Sequence, residues 1–86
     1  MAALNIAYFA WVRERMGIAD ETVEIPASIA DVGGLIAWLT ARDARGKIAF
    51  AEPQRIRAAV DGVMMGPDAP IVGAREVALF PPVTGG

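Results

Sequence analysis

The sequence contains no cysteine and no histidine. That excludes disulfides, thiolate nucleophiles, imidazole general bases and the commonest zinc sites from this chain. Ser28 is its single serine, with no imidazole to activate it, and Lys47 is its single lysine. Eight Lys and Arg stand against ten Asp and Glu, for a formal net charge of −2. The cations are scattered rather than striped, unlike the basic footprint of a nucleic-acid binder, so no nucleic-acid partner is expected. No apolar run approaches the roughly 20 residues that cross a bilayer, so no membrane role is expected either. Residues 1–5 lack the charged and apolar segments of a secretory leader, and a cytoplasmic location is expected by elimination. Side chains are therefore poor candidates to carry chemistry, and the backbone terminus becomes the leading one.

What the chain does have is apolar surface. Hydrophobic residues make up 55% of its 86 positions. A chain of this length forms one domain and buries only about 60–65% of its unfolded surface. Some apolar residues must stay outside, and an exposed apolar patch usually marks a partner surface.

Residues 4–10 alternate in the manner of a strand, with Leu4, Ile6 and Tyr8 on one face. Residues 11–16 read as a short turn or helix ending at Gly17. Residues 21–25 form a second strand, Val23 and Ile25 inward, Thr22 and Glu24 outward, stopped by Pro26. Ser28, with Asp31 three residues on, reads as a capping box. Ile29, Val32, Leu35, Ile36 and Leu39 then recur at helical spacing, predicting a helix to about Asp43. Gly33 and Gly34 weaken that helix by about 1 kcal/mol each, a cost that close packing on a sheet would explain. Residues 47–54 fit a loop or a short helical turn. Ile56, Ala58 and Val60 alternate as a third strand, and Asp61-Gly62 predicts a tight hairpin into a short strand at 63–65. A loop over 66–75 leads to a last strand at 76–80, with Val77 and Leu79 on one face and Ala78 and Phe80 on the other. The order predicts an α+β fold: a mixed sheet against one main helix, with the first and last strands parallel at its centre. That is the ubiquitin-like β-grasp arrangement, expected over residues 1–80, with 81–86 as an extended tail.

The tail is the chemically distinctive segment. It runs Pro81-Pro82-Val83-Thr84-Gly85-Gly86 after Phe80. Glycine has no Cβ, so Gly85 and Gly86 can enter a narrow channel and leave the terminal carboxyl unhindered. An α-carboxyl titrates near pH 3.3–3.7 and is an anion at neutral pH, hence a poor electrophile. It must first acquire a leaving group, which adenylation by ATP supplies. Pro81-Pro82 favours extended geometry and lowers the entropy lost on insertion. Six extended residues span at most about 20 Å.

Residues 76–86, Glu-Val-Ala-Leu-Phe-Pro-Pro-Val-Thr-Gly-Gly, strongly resemble the C-terminus of molybdopterin synthase small subunits, the sulfur carriers of molybdenum cofactor biosynthesis. The resemblance implies that an adenylating enzyme activates Gly86 with ATP and that a sulfur donor protein converts it to a thiocarboxylate. The carrier then docks on the synthase large subunit as a heterotetramer and gives its sulfur to cyclic pyranopterin monophosphate. Gly86 would carry sulfur and Gly85 would permit passage. Pro81, Pro82, Val83 and Thr84 would align the tail, and Phe80 would anchor the partner. No permanently bound cofactor and no metal is implied, and the isolated chain would not itself be a catalyst. Three alternatives stay open: a sulfur carrier of another pathway, such as thiamine or amino-acid sulfur delivery; a ubiquitin-like protein modifier; and a β-grasp interaction module with an inert tail.

Other residues have plainer readings. Trp11 and Trp38 suit core or edge packing. Met64 and Met65 suit a hairpin filling a gap, with adaptable contact residues as the second reading; Arg55 and Arg57 suit a solvated face, with docking of an acidic partner surface as the second reading.

Overall fold

A computed structural model describes residues 2–82. Among the described residues the order is β1 (Ala2–Tyr8), α1 (Ala10–Met16), β2 (Asp20–Ile25), α2 (Val32–Arg42), α3 (Ala44–Ala49), a 3-10 turn (Pro53–Arg55), β3 (Arg57–Val60), β4 (Val63–Met65) and β5 (Glu76–Phe80). The strands form one mixed sheet in the order β2-β1-β5-β3-β4. β1 and β5 run parallel at its centre, Asn5 opposite Glu76 and Tyr8 opposite Leu79, and the other pairs are antiparallel. This is the expected β-grasp, with two further helices beside the main one.

One face of the sheet is the core. Leu4, Ile6 and Tyr8 of β1, Ala58 and Val60 of β3, and Val77 and Leu79 of β5 lie against Val32, Leu35, Ile36 and Leu39 of α2. The strand period of two and the helix period near four aim these side chains at one another. Each large aliphatic residue fully withdrawn from water contributes about 1.5–3 kcal/mol. Trp11 and Trp38 are half-buried against this core, as their edge-packing reading expects.

The start of α2 departs from the sequence reading. Ser28 is exposed within a turn closed by the Ile29 N–H on the Pro26 carbonyl at 2.9 Å, and the N-cap is Asp31, whose Oδ1 accepts from the Gly34 N–H at 2.7 Å. Loop 66–71 holds the helix entry there. The Val32 and Gly33 N–H groups donate to the Ala69 and Pro67 carbonyls at 3.0 and 2.9 Å, and the Ile71 N–H donates to Ala30 at 3.0 Å. These carbonyls satisfy donors that a helix end otherwise leaves open. Gly33 therefore packs on this loop, not on the sheet: a Cβ there would stand 3.3 Å from the Pro67 oxygen.

Asp43 ends α2 and caps α3, its Oδ1 accepting from the Gly46 N–H at 2.9 Å. Residues 44–49 are thus helical, and Phe50 beyond them is buried against Tyr8. The Asp61-Gly62 hairpin forms as expected, with φ of +48° and +84°. Asp61 also accepts from the Arg75 and Glu76 N–H groups at 2.9 and 3.0 Å, which fixes where β5 begins.

Candidate functional site

β5 is hydrogen-bonded on both sides, to β1 and to β3, so it ends in the middle of the sheet. Phe80 is the last paired residue, opposite Arg57. Pro81 and Pro82 follow outside the ladder and are half-buried. Neither proline has an N–H to donate, so pairing stops where the sequence predicts. Val83, Thr84, Gly85 and Gly86, which carry the chemical expectation, lie outside the described residues.

Phe80 sits on the outer face, opposite Val77 and Leu79, which are fully buried. The strand register shows what surrounds it. Ala7, Ala78, Ala59 and Met64 face one another across β1, β5, β3 and β4. Three alanines make this centre a low shelf, bordered by Met64 at 60% exposure and by Phe80. Phe9 is also exposed and joins β5 through its N–H on the Leu79 carbonyl at 3.1 Å. Asn5 and Glu76, hydrogen-bonded at 3.0 Å, close the far end with polar groups. Met64 therefore does not fill a gap: β4 is an edge strand of three residues, all exposed. Small residues at alternate positions of β1, β3 and β5 hinted at this shelf, but only the register aligns them.

The remaining polar network is structural. Glu21 of β2 points inward, accepting from Tyr8 Oη at 2.6 Å and from both terminal Arg42 nitrogens at 3.1 and 2.7 Å. Burial disfavours the Glu21 carboxylate, but the Arg42 and Tyr8 hydrogen bonds outweigh it and hold the group below its usual range. Burial, then the bond to Glu21, pushes the Tyr8 phenol up. On the helix side, a groove of about 1090 Å³ lies between α2 and β3–β4, bordered by Ile36, Phe50, Ile56 and Met65. Among the described residues no carboxylate lines it. Among the described residues no cluster could hold a metal ion, and no helix is long and apolar enough to cross a membrane. The arrangement among the described residues is a central strand that ends beside an apolar shelf.

Residues 6–86 match the ThiS family. The chain belongs to the ThiS family. It is 35% identical over 83 residues to the molybdopterin synthase sulfur carrier subunit of Escherichia coli (strain K12), covering 96% of this chain and 99% of that protein. Among solved structures, a Pyrococcus furiosus protein described as molybdopterin converting factor, subunit 1, superposes with a TM-score of 0.73 at 25% identity, over 96% of this chain and all of that one. The small archaeal modifier protein 1 of Haloferax volcanii superposes with a TM-score of 0.71 at 22% identity, over 96% of this chain and all of that one. This last likeness shows the shared fold alone. The β-grasp architecture thus stands on the strand order of this ThiS-family chain and on its structural relatives.

Proposed function

We propose that this chain is the sulfur-carrying small subunit of a molybdopterin synthase. The observation that carries the reading is the 35% identity along nearly the whole length of a molybdopterin synthase sulfur carrier subunit. The sheet geometry supports it, because a tail rooted in a central strand can be presented without disturbing the core.

In this reading the Gly86 carboxylate attacks ATP in the site of an adenylating enzyme, releasing pyrophosphate. Sulfur delivered by a donor protein at the sulfide level, as a nucleophile, then displaces AMP from the acyl-adenylate and leaves a thiocarboxylate. The tail next enters the large subunit and gives the sulfur to cyclic pyranopterin monophosphate, returning Gly86 to a carboxylate. Gly85 allows close approach, and Pro81, Pro82, Val83 and Thr84 hold the tail extended. Phe80 and the alanine shelf form the docking face for the large subunit, in a heterotetramer placed in the cytoplasm. ATP is consumed by the activating enzyme rather than held by this chain.

Intact mass spectrometry tests the reading. With adenylating enzyme, ATP and a sulfur source, the mass should rise by the exchange of one oxygen for sulfur. The modified chain should then yield molybdopterin with a large subunit and the precursor. An unchanged mass overturns the carrier reading. Conjugates to lysines of other proteins would point to a modifier instead.

A further inference from the structure

Three arginines converge where the tail leaves the sheet. The Arg15 guanidinium carbon lies 4.3 Å from the ring centroid of Trp11, and that of Arg55 lies 5.9 Å from the same ring. Arg57 pairs across the ladder with Phe80 and donates to the Gln54 and Ile56 carbonyls at 3.0 and 3.3 Å. α1, the 3-10 turn and the start of β3 thus bring three positive charges around the root of β5's exit.

Their counter-charge is thin. Among the described residues no carboxylate lies within 4.0 Å of Arg15 or Arg57. Arg55 meets Glu52 at 3.6 Å, both side chains more than half exposed. Such a pair is worth little. Arg42 and Arg45, by contrast, are matched by Glu21 and Asp43. The concentration is notable in a chain whose net charge is −2. Grouping like charges costs free energy, which stacking on Trp11 and bonds to backbone carbonyls offset. Those contacts also restrict the guanidinium groups, so less entropy is lost when a partner engages them.

Fully extended, six residues would carry the terminal carboxyl up to about 20 Å from the root of the tail. When the tail is inserted, the surface around its root faces the rim of the receiving cleft. We infer that Arg15, Arg55 and Arg57 form a cationic collar that docks on an acidic rim, Asp or Glu, at the mouth of the large subunit's tail-binding cleft. This rests on the carrier reading and adds the chemistry of the partner surface. Opposite fields of this kind accelerate encounter and set orientation, and salt weakens them.

Stopped-flow association of the full chain with its cognate large subunit, followed by tryptophan fluorescence, tests the inference. The wild-type association rate constant should fall about tenfold or more between 50 and 500 mM NaCl, in keeping with electrostatic steering. Arg15→Glu with Arg55→Glu should lower it by a similar factor at low salt, with melting temperature retained. Arg15→Lys with Arg55→Lys should keep most of the rate. Wild-type binding whose rate is indifferent to salt overturns the collar while leaving the carrier reading intact. That arm does not depend on any variant folding. Failure of the wild-type chain both to bind and to be thiocarboxylated sinks the carrier reading and the collar together.

Discussion

Gly46 of α3 sits directly against the Leu39 carbonyl of α2, so close that any β-carbon at position 46 would overlap that oxygen. The obstacle is backbone and cannot swing aside. Gly46→Ala is expected to destabilise the fold by about 3 kcal/mol, the upper part of the overpacking range, despite alanine's better helix propensity. Urea unfolding monitored by circular dichroism measures it. A variant as stable as wild type would mean that α3 does not pack on α2 as described.

The Tyr8–Glu21–Arg42 network predicts a pH dependence. Glu21 titrates lower in the fold than its ordinary 4.5. Its contribution is therefore present above about pH 4.5 and is lost as pH falls through the lower, folded value. Tyr8 is shifted upward from 10.0, so its contribution is whole below about pH 10 and is lost above it. Glu21→Gln should cost about 1–2 kcal/mol at pH 7, after allowing for partial exposure. The gap from wild type should close toward pH 3. Melting temperatures across pH 3–8 give the comparison, and a constant gap would refute the assignment.

Asp31, not Ser28, caps α2. Asp31→Ala should cost about 1 kcal/mol, and Ser28→Ala should stay within about 0.5 kcal/mol of wild type. The reverse order in chemical denaturation would restore the capping box at Ser28.

Phe80 is half-buried on the outer face, beside Arg57 and the alanine shelf. Phe80→Ala should weaken binding to the large subunit by about 2 kcal/mol, the threshold for an interface anchor. Its effect on folding should stay below about 1 kcal/mol, because the core lies on the other face. Calorimetric titration and thermal melts separate the two effects. A larger loss in folding than in binding would make Phe80 a core residue.

Adding one residue after Gly86 should abolish thiocarboxylation and leave the melting temperature unchanged. Normal sulfur loading of the extended chain, read by intact mass, would exclude the terminal-carboxyl mechanism.

The sequence made the strands legible because burial on one face imposes a period of two. Leu4, Ile6 and Tyr8, and likewise Val77 and Leu79, read as they fold. Asp61-Gly62 was legible because its backbone conformation suits few residue pairs. The α2 entry was not, because carbonyls of loop 66–71, far along the chain, choose where the helix begins. Gly46 escaped notice for the same reason, since its constraint is a neighbour brought near only by folding. Of the site, Phe80 was readable as a face. The shelf, and the grouping of Arg15 with Arg55 and Arg57, depend on register and on contacts between elements that no local pattern encodes.

The central position of β5 has a mechanical consequence. Traction applied along β5 at Phe80 is shared as shear along two flanking ladders, instead of unzipping one bond at a time from an edge. A load applied at the C-terminal end of β5 is thus borne by the middle of the sheet rather than by an edge.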